Sequence, residues 1–106
     1  MLILTLPPTT NHTYHHHGHT VYMTKEAKDW QRDAVWLLKA HKGENPTSVS
    51  ITYYLKRERD VDGSHKIILD AMTKAGVMVD DKLITDVDFH KRWNKINPRV
   101  EVSWSQ

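Results

Sequence analysis

One hundred and six residues are enough for one domain with a single modest core, and the absence of cysteine excludes a disulfide framework, a thiolate zinc site and a cysteine nucleophile. The net charge of +2 hides an uneven distribution: residues 60–88 carry seven acids against three lysines, while the remainder carries twelve basic and six acidic residues. An acidic patch within a basic surface suits a metal-dependent enzyme acting on a polyanion, with chance clustering as the simpler reading.

The opening "MLILTLPP" predicts a short β-type run over residues 1–6, ended by a proline pair that cannot donate to a ladder. It is too short for a signal peptide or a membrane span, and no other apolar run approaches ~20 residues, so a soluble, cytoplasmic protein without membrane partners is expected. "TTNHTYHHHGHT" reads as a polar loop, and residues 21–23 as a short strand. Thr24 is placed to cap a helix through about residue 40, with Ala27, Trp30, Ala34, Leu37 or Leu38, and His41 at helical spacing. "VSITYYLKR" alternates: Val49, Ile51, Tyr53 and Leu55 share one face of a strand over residues 49–57. A second helix is predicted over residues 64–75, with Ile67, Ile68, Ala71 and Met72 as its apolar stripe and Gly76 as its stop. Strands near residues 84–93 and 99–104 follow, joined by a turn at Asn97-Pro98. The expected fold is α+β in one domain spanning residues 1–106, a two-layer mixed sheet with both helices on one face.

The stretch "RDVDGSHKIILDAMTKAGVMVDD" carries the chemistry. Asp60 and Asp62 stand two apart at a strand end and project to the same side, while Lys66 and Asp70 follow at intervals of four. After Gly76 the chain returns through "VMV" to Asp80-Asp81. Carboxylates that converge are costly unless their pKa values rise or a cation neutralises them. Oxygen ligands alone suit Mg²⁺, with Mn²⁺ able to substitute, and such an ion can activate water on a phosphodiester. A lysine beside it can stabilise charge developing on phosphate. Simpler roles compete: Asp62 as a helix cap, Asp70 paired with Lys66 or Lys74, and Asp80-Asp81 as turn residues. An EF-hand would require a glutamate where Leu69 stands, after a helix instead of a strand.

The D-x-D pair, the lysine four beyond it, the next Asp four further on, "AGV" and the D-D pair resemble the RusA-type Holliday junction resolvases, short endodeoxyribonucleases of bacteria, phages and prophages. "LPPTTNHTY", "VYMTKEAKDW" and "RVEVSW" extend the resemblance over most of the chain. It implies that Asp60, Asp62 and Asp81 are catalytic carboxylates holding Mg²⁺, that Lys66 is the essential lysine, and that Asp70 and Asp80 are auxiliary acids. It also implies a homodimer that binds four-way DNA junctions and nicks two strands symmetrically. A branched-DNA-binding protein that has lost catalysis, and a nuclease preferring forks or flaps, are the alternatives. Gly63 departs from the family pattern, where Asn often follows the second Asp, and this removes a potential hydrogen bond to the carboxylates. His65 is either a proton carrier or a polar residue at the helix start.

The histidines at positions 12–19 suit a DNA-contacting loop better than a zinc site, because consecutive histidines on a loop rarely converge on one ion. Asn11, Tyr14, Lys28, Arg32, Lys56, Arg57 and Arg59 are candidate DNA contacts, with Arg57 and Arg59 favoured because they flank the acids.

Overall fold

The strand over residues 48–55 organises the molecule. In the computed structural model, which describes residues 1–9, 14–18, 20–59, 61 and 64–106, the elements run β1 (Leu2–Leu4), β2 (Tyr14–His17), β3 (Thr20–Met23), α1 (Lys25–Leu38), β4 (Ser48–Leu55), α2 (Ser64–Lys74), β5 (Asp86–Trp93) and β6 (Arg99–Ser105). Short 3-10 turns cover Lys39–His41 and Asp81–Leu83. β4 sits inside a four-stranded sheet of order β1-β6-β4-β5, parallel to β5 and antiparallel to β6, with β1 antiparallel to β6 at the far edge.

The alternation read in β4 is the reason for this placement. Val49, Ile51, Tyr53 and Leu55 are fully buried, and Val102 and Val100 of β6 stand opposite Ile51 and Tyr53 on the same face. α1 and α2 bury Ala27, Trp30, Ala34 and Leu38, and Ile67, Ile68, Ala71 and Met72, in one cluster with that face. The α+β sheet with two packed helices is thus as expected.

Thr24 caps α1 by accepting from the Ala27 N–H at 3.1 Å, an interaction worth about 1 kcal/mol. Trp30 Nε1 donates to the Thr5 carbonyl at 2.8 Å and ties α1 to the chain leaving β1. Of the two leucines that could complete the stripe, Leu38 is buried and Leu37 is exposed.

The polar segment read as a loop contains β2, which pairs antiparallel with β3 around Gly18, whose φ of 61° favours glycine. The last two strands, whose pairing was not assigned from the sequence, are separated in the sheet by β4. Thr85 and Asp86 both donate backbone N–H groups to the Thr47 carbonyl, at 2.8 and 3.2 Å, and this starts β5 alongside β4. No helix among the described residues is long and apolar enough to cross a membrane.

Candidate active site

β4 ends at Leu55, two residues short of the expected end, so Arg59 and the acids after it follow the strand and do not stand at its end. Arg59 does not project as a free phosphate contact: its Nη2 donates to the Pro7 carbonyl at 2.7 Å and fastens the strand exit to the proline pair. Burial lowers its pKa, and its Nε has no hydrogen-bond partner among the described residues. The Tyr53 hydroxyl is likewise buried without a partner, and burial pushes its pKa far up. Asp60, Asp62 and Gly63 lie outside the described residues, as do Asn11, His12 and His19. Between the acids, Val61 is buried and its carbonyl accepts from the Ser64 N–H at 3.0 Å, so α2 starts directly under the strand exit.

α2 then sorts its side chains by face. Ile67, Ile68 and Met72 enter the core, while Lys66 is exposed and His65 and Asp70 are partly exposed. His65 lies against Phe89 of β5, with ring centroids 4.7 Å apart, so its ring is packed as an aromatic surface. Asp70 makes no ion pair with Lys66 or Lys74 among the described residues; Lys74 Nζ donates instead to Gln31 Oε1 of α1 at 2.6 Å.

The return to Asp80-Asp81 is held at several points. Gly76, at φ 80°, ends α2 in a Schellman arrangement: its N–H donates to Thr73 and that of Val77 donates to Met72, each at 3.0 Å. Gly43 and Asn45 donate to the Gly76 and Val77 carbonyls, both at 2.8 Å, so the loop after α1 clamps the return. Val77 and Met78 are buried. Asp80 then caps the 3-10 turn by accepting from the Lys82 N–H at 3.0 Å, which confirms a turn role for this residue.

That turn lies beside α2 and brings acids together. The neighbouring Asp80 carboxyl, with the charge of Asp70 adding to its effect, raises the Asp81 pKa. Asp80 is lowered, chiefly by the Lys82 N–H and then by the Asp81 carboxyl. Among the described residues, no three His, Asp or Glu side chains come close enough to hold a metal by themselves.

The remaining candidate contacts divide. Lys28, Lys56 and Arg57 are exposed, and Arg32 is exposed but paired with Asp29 at 3.3 Å and Asp33 at 3.4 Å. Tyr14 opens β2. Sequence reasoning missed the contact of Phe89 with His65 and the Gln31–Lys74 bond, because neither pair is local in the chain.

A family model described as endodeoxyribonuclease RusA matches residues 5–104. The chain is 34% identical over 94 residues to the crossover junction endodeoxyribonuclease RusA of Aquifex aeolicus (strain VF5), covering 83% of this chain and 75% of that protein. It is 26% identical over 91 residues to the crossover junction endodeoxyribonucleases rusA of Enterobacteria phage 82 and RusA of Escherichia coli (strain K12), covering 80% of this chain and 76% of each relative. The match runs through the β4 exit, α2, the glycine stop and the Asp80-Asp81 turn, and the chain belongs to the endodeoxyribonuclease RusA family.

Proposed function

We propose that this protein is a Mg²⁺-dependent endonuclease that resolves four-way DNA junctions by paired nicks. The observation that supports the reading is that the Asp80-Asp81 turn lies against α2, where the charges of Asp80 and Asp70 both act on Asp81 and would be offset by a cation. The donors are carboxylate oxygens, which suit a hard ion with several retained waters. Asp81 would hold it together with Asp60 and Asp62, which would complete a set that the described residues alone do not form. When bound, Mg²⁺ would supply an activated water and neutralise the phosphate. Lys66, exposed at the start of α2, would donate to the phosphate oxygen on which charge develops. Lys56 and Arg57 would bind neighbouring phosphates and hold the duplex arm, while Arg59 keeps the strand exit in place.

Paired cuts need two such sites, hence two chains. β5 supports assembly with a second copy, because it is an edge strand carrying Val87, Phe89 and Trp93 exposed on the face where β4 is buried. The substrate assignment is tested by cutting rates on a four-way junction, a fork and a linear duplex of matched sequence. The junction should be cut fastest; equal rates on the fork would contradict it.

Cation binding requires the Asp81 carboxylate, whose pKa Asp80 raises. The Mg²⁺ concentration for half-maximal cleavage should therefore fall as pH rises through the acidic range. Asp80→Asn removes the repelling charge, lowers the Asp81 pKa and should move that dependence to lower pH. Metal-activation curves recorded across pH for both proteins check the shift, and an unshifted curve would count against a protonated Asp81.

A further inference from the structure

We propose that the groove along α1, bounded by Lys74 of α2, binds one nucleotide released from its base pair at the branch point of the DNA substrate, stacking its base on Trp36. The inference rests on the nucleic-acid reading above but not on the acid site. The groove has a volume of about 500 Å³, and its walls combine Trp36 and Val35 with Met23 and the stems of long cationic side chains. Trp36 is 75% exposed although it sits within α1, so its ring covers no core. A cavity of this size with apolar walls and few polar groups suits a flat organic group.

The polar groups define the ligand further, because those still free to bond are donors. Gln31 is buried at 5% exposure; its Oε1 is already taken by Lys74, and its Nε2 is a buried donor with no acceptor among the described residues. Leaving such a donor unpaired costs about 1–3 kcal/mol. Lys28 and Lys39 line the same groove and make no ion pair among the described residues. Arg32 also lines it, with its charge offset by Asp29 and Asp33. The occupant must therefore be rich in acceptors and negatively charged, and must carry a planar face for Trp36. A nucleotide meets all three conditions: carbonyl and ring-nitrogen acceptors, phosphate, and a base.

The groove also lies within reach of the cutting site. Asp70 and Lys74 are one turn apart on the same face of α2, about 6 Å along its axis. Lys74 lines the groove, while the charge of Asp70 acts on Asp81. A strand leaving the branch point can pass from one to the other along α2.

The test uses the full-length protein in EDTA, so that nothing is cut, with a short fluorescein-labelled oligothymidylate read by anisotropy. Trp36→Ala and Lys39→Glu should each weaken binding about tenfold, in line with stacking and phosphate terms, while Trp36→Phe should stay close to wild type. Polyglutamate should compete poorly. Unchanged affinity in Trp36→Ala overturns the proposal; so does equal displacement by polyglutamate, which would mark a site for an acidic protein segment. Junction cleavage in Mg²⁺ is scored separately. A protein that cuts junctions but binds the oligonucleotide without regard to Trp36 refutes the groove alone. One that binds through Trp36 but cuts no junction refutes the nuclease reading and supports the groove.

Discussion

Asp62→Asn and Asp81→Asn should each slow cleavage of a synthetic four-way junction by about a thousandfold or more, while leaving junction binding in EDTA within about threefold of wild type. The rate loss follows from charge. Each substitution removes a full negative charge from a set that must hold a divalent cation, and a cation at the phosphate contributes several kcal/mol of transition-state stabilisation. About 4 kcal/mol corresponds to a factor of about a thousand. Binding should survive because affinity for DNA comes from cations meeting phosphates, and neither Asp makes such a contact. Asp81 offers the sharper case, since its raised pKa shows that its environment already disfavours the bare carboxylate. Single-turnover rates alongside anisotropy in EDTA separate the two quantities. Cleavage near the wild-type rate in either variant would remove that residue from the catalytic set.

A large loss of stability should come from Met72→Ala. Met72 is fully buried on α2, and its carbonyl accepts from the Val77 N–H in the motif that ends the helix. Truncation of a buried long side chain costs about 2–5 kcal/mol through lost contacts and the cavity left behind, against a total of about 5–15 kcal/mol for an ordinary domain. The urea midpoint should fall by at least about 1 M. The same change loosens the packing from which Val77 and Met78 lead to the Asp80-Asp81 turn. Activity should therefore fall further than the folded fraction alone requires. A midpoint within the error of wild type would show that this corner of the core relaxes around the gap.

The local features were legible because each has a physical signature in the chain. Thr24 before an apolar stripe, the strict alternation from Val49 to Leu55, and Gly76 after Ala75 mark a cap, a half-buried strand and a helix stop, and the structure holds each of them. The return of the chain to Asp80-Asp81 after a glycine stop was legible for the same reason, whereas the action of Asp70 on Asp81 was not. Long-range choices were not. Asn97-Pro98 signals a turn but not which strands it separates, and β5 is set beside β4 where the N–H groups of Thr85 and Asp86 bond the Thr47 carbonyl. Tyr14–His17 has no apolar alternation to announce a strand; its ladder is made with Thr20–Met23. Arg59 looked like a phosphate contact beside the acids, yet its guanidinium reaches a carbonyl 52 residues earlier. The pairing of Gln31 with Lys74 spans 43 residues and depends on how two helices pack. No spacing rule reports such a contact.

The central claim is that one acidic cluster per chain, loaded with a divalent ion, cuts two strands of a branched DNA. Its most direct measurement is the product distribution from a four-way junction labelled on opposite strands, incubated with the purified protein in Mg²⁺ and, in parallel, in EDTA. Nicks should appear at symmetric positions in both labelled strands with Mg²⁺, and the junction should stay intact in EDTA. Cutting that persists in EDTA, or an uncut junction in Mg²⁺ and Mn²⁺ alike, would contradict it.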